Sequence, residues 1–223
     1  MWRSICVGML VATLGLSATA VAQERFDYQV RDDMFRALGG NEAAYRNAMA
    51  KIEETLAANP DHAEALVWRG VGTYWKAGQA FHTGDAASAR ALAATATADM
   101  DRALALAPRD IGVLIPRAAV LLVAARNQPE PARARELAAR AAAGYETAFA
   151  LRQAAFAGLG QHNRGEYLSG LAEAWALAGE RDKSETYLRR ILAELPGSPY
   201  AERASAKLGD WSYRAPLNCQ SCH

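Results

Sequence analysis

Two thiols and one imidazole stand together near the C-terminal end of the 223-residue sequence. Cys219 and Cys222 are separated by two residues and His223 follows directly, whereas the chain has only one other cysteine, Cys6. Thiols at this spacing can form thioether bonds, exchange a disulfide or bind a soft metal ion, and the imidazole nitrogen is a common metal ligand. Which reaction takes place depends on the compartment and on the fold that positions these residues.

The first 22 residues have the pattern of a cleavable export signal. Arg3 precedes an apolar run over residues 5–16, and a stretch of small residues follows it. This pattern predicts cleavage between Ala22 and Gln23 and a mature protein in the periplasm. The apolar run is too short to span a bilayer.

Removal of this signal would leave Cys219 and Cys222 as the only cysteines. The whole chain has 25 basic and 24 acidic side chains, a formal net charge of +1 and no block of basic residues. Such a balance is not typical of proteins that bind nucleic acids or anionic membranes. No second apolar stretch is long enough for a membrane span, so we expect none in the mature chain.

Residue sets typical of enzymes are missing from the sequence. There is no glycine-rich phosphate loop, no serine in a nucleophile elbow and no pair of histidines at metal-binding spacing. We therefore expect an electron carrier or a protein-binding module, not an enzyme.

Most of the sequence predicts α-helix. Alanine, leucine, glutamate and arginine are abundant, and runs of β-branched residues are rare. Pro60, Pro108 and Pro196 each follow a stretch rich in alanine and leucine, and a new helical pattern starts after each of them. These regular restarts predict an all-α fold built from repeated helical units.

The clearest repeat lies in residues 164–196. Large, small, aromatic and proline residues recur there at the positions of a two-helix unit: Leu168, Leu171, Ala172, Trp175, Gly179, Ser184, Leu188, Ile191 and Pro196. This unit resembles the tetratricopeptide repeat. The resemblance extends over residues 41–209 and implies a solenoid of helical hairpins, with an N-terminal segment at 23–40 and an irregular tail at 210–223.

The two middle units are longer than the usual repeat. About a dozen extra residues separate Gly78 from Ala96, and a long helical pattern opens at Pro131 in the next unit. We therefore expect lengthened second helices in these units. Residues 199–209 read as a closing helix that caps the array, so the sequence predicts that residues 210–223 contribute little to stability.

Tetratricopeptide repeats bind peptides or partner proteins on a concave face formed by their first helices, and the resemblance implies such a surface here. By helical spacing it would include an apolar set: Val67, Val71, Tyr74, Ile115, Ala119 and Leu122. The equivalent positions of the last unit are polar: Glu166, Ser169 and Glu173. The apolar set could line a partner groove or be buried beneath the extra helical segments, and the sequence leaves both alternatives open.

The spacing of the terminal thiols resembles the haem-attachment motif of c-type cytochromes. The resemblance implies that Cys219 and Cys222 form thioether bonds to one haem c and that His223 is the proximal iron ligand. The predicted export signal supports this hypothesis, because covalent haem attachment takes place in the periplasm. The sequence then predicts an electron-transfer or docking subunit for a periplasmic redox protein or complex.

Other features of the tail bear on this hypothesis. Trp211, Tyr213, Pro216 and Leu217 could pack against a haem ring, and the tail itself could fold back on the repeats or be covered by a partner. Candidates for a sixth iron ligand are scattered along the chain: His82, Met100 and His162.

Two alternatives to haem attachment remain open. Cys219 and Cys222 could form an exchangeable or tail-closing disulfide, or could bind copper or zinc together with His223. Under either alternative the protein would be a non-enzymatic periplasmic scaffold or assembly factor.

Overall fold

The structure is a computed structural model that describes residues 25–216. These residues form nine α-helices and one short 3₁₀ helix, and they contain no strand. The predicted all-α fold is thereby confirmed. In chain order the elements are α1 Phe26–Leu38, α2 Glu42–Ala58, α3 Ala63–His82, α4 Ala86–Leu106, α5 Ile111–Asn127, α6 Pro131–Arg152, the 3₁₀ helix Gln153–Gly158, α7 Gln161–Ala178, α8 Arg181–Glu194 and α9 Pro199–Gly209.

Short polar side chains define where several helices begin. Asn41, Asp85 and Ser198 each accept a hydrogen bond from a backbone N–H in the first turn of the helix that follows. These N–H groups have no partner within the helix, so the caps satisfy them. At the end of α7, Gly179 has φ of 89°, a left-handed conformation that glycine adopts readily, and it allows the tight turn into α8.

Consecutive helices pack as hairpins. Extensive contacts join α1 to α2, α3 to α4, α5 to α6 and α7 to α8, equally extensive ones join α6 to α7, and α9 closes the array. The first helix of each hairpin also packs on the first helix of the next hairpin, and each second helix contacts the helix that follows it. Packing between neighbouring hairpins is the arrangement of a helical-hairpin solenoid. Helices α4 and α6 have 21 and 22 residues, against 14 in α8, so the expected lengthened second helices are present.

Helix α1 forms the first hairpin together with α2. Phe26, Val30, Met34 and Ala37 recur on one face of α1 and are buried in the same core cluster as Ile52 of α2. The sequence pattern placed these residues in a separate N-terminal segment, 23–40. In the structure the array of hairpins begins within that segment.

The last hairpin follows the sequence pattern closely. Leu168 and Leu171 of α7 and Leu188 and Ile191 of α8 are fully buried. The hydroxyl of Ser184 donates a hydrogen bond of 2.7 Å to the carbonyl oxygen of Ala172 and joins the two helices across their small-residue contact. This packing fixes the base from which α9 and the tail extend.

Candidate functional site

The thiol pair with its histidine is the strongest chemical motif of the sequence, and it lies outside the described residues. Cys219, Cys222 and His223 are in the part beyond residue 216, as is Leu217, and the predicted export signal lies in residues 1–24. What the structure defines is the base of the tail, up to Pro216.

The first residues of the tail fold back on the last helices. Lys207 of α9 donates hydrogen bonds from Nζ to the carbonyl oxygens of Trp211 and Tyr213, each of 2.9 Å. Both aromatic rings pack against the core cluster of α7, α8 and α9. The guanidinium carbon of Arg181 lies 4.4 Å from the centroid of the Trp211 ring, within cation–π distance. Residues 210–213 are therefore held on the array, and these contacts lead us to expect a contribution to stability from Trp211 and Tyr213 that the sequence did not predict.

The ammonium group at the centre of this turn is well shielded from water. Lys207 is 8% exposed. Burial lowers the pKa of Lys207, the charge of Arg214 acts in the same direction, and the charges of Glu173 and Asp210 oppose them. The two carbonyl acceptors and the nearby carboxylates compensate for the loss of water around the ammonium group. Lys207 thus connects the tail to the face of α7 that carries Glu173.

Five of the six apolar positions expected on the concave face are divided between different core clusters. Val67, Val71 and Tyr74 pack with α1–α4, whereas Ile115 and Leu122 pack with α6 and α7. Val67, Val71 and Leu122 are buried, so for these three residues the buried alternative describes the structure. Tyr74, Ile115 and Ala119 are partly exposed.

The polar positions of α7 connect neighbouring helices. Glu173 forms an ion pair of 2.5 Å with Arg126 of α5. Glu166 accepts a hydrogen bond of 2.8 Å from the hydroxyl of Tyr200 on α9. Ser169 lies between them and is fully buried. This face of α7 therefore holds α5 and α9 together.

The three candidates for a sixth iron ligand differ in their accessibility. Met100 is 2% exposed and belongs to the core cluster of α1–α4. His162 is exposed, and its Nδ1 lies 3.0 Å from the hydroxyl of Tyr200. His82 is exposed at the end of α3. Met100 could coordinate a haem only if the packing of α3 and α4 opened.

A charged cleft of about 480 Å³ lies where α3 and α5 begin and α6 ends. It is lined by three arginines, two acids and two apolar residues: Arg25, Arg109, Arg152, Glu64, Asp110, Ile111 and Leu151. No sequence motif indicates this cleft, because its residues come from four distant segments. Stacking of the first three hairpins brings them together.

Glu64 is the most deeply buried acid of this cleft. Its Oε2 accepts a hydrogen bond of 3.1 Å from the backbone N–H of Asp27, and its Oε1 lies 3.7 Å from Nε of Arg25. Its carboxylate also lies against the backbone of Gly112, where an added Cβ would come within 2.1 Å of Oε1. Burial raises the pKa of Glu64, and the charges of Asp110 and Asp27 add to this effect.

Replacement of Glu64 by glutamine is expected to raise the free energy of unfolding at pH 7 by up to about 1 kcal/mol. Glutamine keeps an acceptor for the N–H of Asp27 and removes a charge that the fold disfavours. Because the pKa of Glu64 is raised in the folded state, the ionised carboxylate destabilises the fold above that pKa. The advantage of the variant should therefore shrink as the pH falls towards the ordinary range of a glutamate.

Urea unfolding of the wild type and Glu64→Gln at pH 7 and at pH 4.5 measures this difference. Glu136→Gln, which changes an exposed glutamate paired with Arg133 on α6, is the matched control and should change stability by less than about 0.5 kcal/mol. A Glu64→Gln protein that is less stable than the wild type at pH 7 would contradict the prediction.

Comparisons with protein-family models, with curated proteins and with solved structures found no match to this chain. None of the helices within residues 25–216 has both the length and the apolar character needed to cross a bilayer. In the same part of the chain, no three histidine, cysteine or acidic side chains are grouped in a way that could hold a metal ion.

Proposed function

We propose that this protein is a periplasmic, tetratricopeptide-repeat-like protein that carries one covalently attached haem c on its C-terminal tail. It would act as an electron-transfer or docking subunit for a periplasmic redox protein or complex. The observation that carries the proposal is the sequence of Cys219, Cys222 and His223, with no other cysteine left after removal of the export signal. Two thiols and one imidazole are the donor set that haem attachment requires.

The anchored base of the tail supports this function. Cys219 lies six residues after Tyr213, and six extended residues span at most about 22 Å. The turn held by Lys207 would therefore keep the attachment site within this distance of its anchor on α9. When bound, haem c supplies one-electron oxidation and reduction of its iron. A short tether on a rigid array keeps such a group at a defined distance from the surface that binds the partner.

The helical array supplies the docking surface in this proposal. Its hairpins pack in series, so a partner can contact several first helices at once. Residues that connect these helices, such as Glu173 with Arg126, keep the surface rigid. The tail then presents the haem at the end of the array that α9 closes.

The proposal is tested by a haem assay on the full precursor. The protein is expressed in bacterial cells that have active haem-attachment machinery, purified under denaturing conditions and examined as its reduced pyridine haemochrome. We expect a c-type spectrum with about one haem per chain, and no haem in a Cys219→Ala/Cys222→Ala variant. Denatured wild-type protein without covalent haem would overturn the proposal and leave the disulfide and metal-binding alternatives.

A further inference from the structure

The arginines that line the cleft between the starts of α3 and α5 differ in whether an acid pairs with them, and Arg25 pairs with Asp27 at 3.1 Å. Within residues 25–216, ion pairs involve Arg25 but neither Arg109 nor Arg152. Arg152 lies near the phenol of Tyr167 on α7, a neutral group that leaves the guanidinium charge uncompensated, and Arg152 opposes the rise that burial causes in the pKa of Tyr167. Arg109 is exposed in the connection between α4 and α5. Two guanidinium groups thus face this cleft region without a carboxylate partner.

The two acids that line the cleft are already engaged by the protein. Asp110 caps α5, and its Oδ1 accepts a hydrogen bond of 2.8 Å from the N–H of Gly112. Glu64 accepts the N–H of Asp27 and lies beside Arg25. The cleft also adjoins the N-termini of α3 and α5, whose helix dipoles add positive potential. An anion entering the cleft would therefore meet positive potential at the guanidinium groups of Arg109 and Arg152, whereas Asp27, Asp110 and Glu64 disfavour it in the deeper part beside Arg25.

We propose that this cleft binds a small organic anion with two or more carboxylate groups. Arg109 and Arg152 would bind the carboxylates, because planar guanidinium groups match carboxylates through paired hydrogen bonds. Ile111 and Leu151 line the same cleft and offer apolar contact to the carbon skeleton between the carboxylates. A volume of about 480 Å³ lies in the size range of small-ligand sites. This site goes beyond the proposed haem function and does not depend on the tail.

Isothermal titration calorimetry of the mature protein with citrate tests the proposal, with sodium chloride at matched ionic strength as the reference. We expect saturable citrate binding and at least a tenfold weaker affinity in an Arg109→Gln/Arg152→Gln variant. The matched control is Arg90→Gln/Arg135→Gln, which removes two exposed arginines of α4 and α6 that lie outside the cleft and should bind citrate like the wild type. Circular dichroism establishes that all variants are folded to the same extent.

One further variant and one further ligand make the result decisive. A Cys219→Ala/Cys222→Ala protein should bind citrate like the wild type, since none of the cleft-lining residues belongs to the tail, so loss of haem and loss of anion binding are distinguishable. A tetraglutamate peptide tests whether the cleft binds the clustered carboxylates of an acidic peptide instead of those of a small organic anion. Citrate binding that is absent, or unaffected by Arg109→Gln/Arg152→Gln, would overturn the proposal, as would binding of tetraglutamate alone.

Discussion

Deletion of residues 210–223 is expected to lower the free energy of unfolding by about 2–4 kcal/mol, whereas deletion of residues 217–223 should change it by less than about 0.5 kcal/mol. The longer deletion removes Trp211 and Tyr213 from the core cluster of α7–α9. It also removes the two carbonyl acceptors of Lys207 and the ring beneath Arg181. The shorter deletion leaves all of these contacts in place.

Both deletions are compared in proteins that carry no haem, so that loss of the cofactor does not enter the measurement. The reference is the full-length Cys219→Ala/Cys222→Ala protein, and unfolding in urea is followed by circular dichroism at 222 nm. Equal stabilities of the two truncated proteins would show that the contacts of Trp211 and Tyr213 contribute nothing. A large loss on deletion of 217–223 would instead place part of the core in the terminal segment.

The last hairpin was the most predictable part of the fold. Leu168, Leu188 and Ile191 recur at helical spacing, and Gly179 marks the turn, so a local pattern was sufficient to place them. All three apolar residues are fully buried in the structure. Where a residue packs mainly within its own hairpin, the periodicity of the sequence is sufficient to predict its burial.

Helix α1 was harder to recognise. Its buried residues, such as Val30 and Met34, are interrupted by acidic and basic side chains that cover the outer face. Gly39 and Gly40 mark the turn at its end, but no proline precedes or follows it, and the repeat pattern became visible only in α2. The hydrophobic face of α1 has a defined partner only once α2 and α3 are in place, which is information about packing and not about local sequence.

The burial of the expected groove residues likewise depends on packing between helices and not on local sequence. Helix α3 packs against α1, α2, α4 and α5, so little of its circumference remains open to solvent. Val67 and Val71 are apolar in the sequence under either alternative, and only the positions of the surrounding helices decide between a groove and a core. The cleft of Arg25, Arg109 and Arg152 could not be predicted for a related reason, since stacking of hairpins creates it from distant segments.

The contact between α3 and α4 gives the second large expected effect. Replacement of Gly70 by alanine is expected to lower the free energy of unfolding by about 2 kcal/mol, whereas Gly78→Ala should raise it by about 0.5–1 kcal/mol. A Cβ at Gly70 would lie 2.6 Å from Cγ of Met100 and 2.9 Å from the backbone oxygen of Ala96. A Cβ at Gly78 would meet no atom within 4 Å.

The two substitutions make a matched pair, because both replace glycine by alanine in the same helix. The gain in helix propensity is common to both, so the difference between their effects, about 3 kcal/mol, measures the close approach of α3 to α4 at Gly70 alone. Because Ala96 contributes a backbone atom, a change of side-chain rotamer cannot relieve the contact, and the two helices must move apart. Urea unfolding of both variants gives the two free energies. Similar values for Gly70→Ala and Gly78→Ala would mean that this hairpin can separate at little cost, and the tight packing of its helices would then not be a determinant of stability.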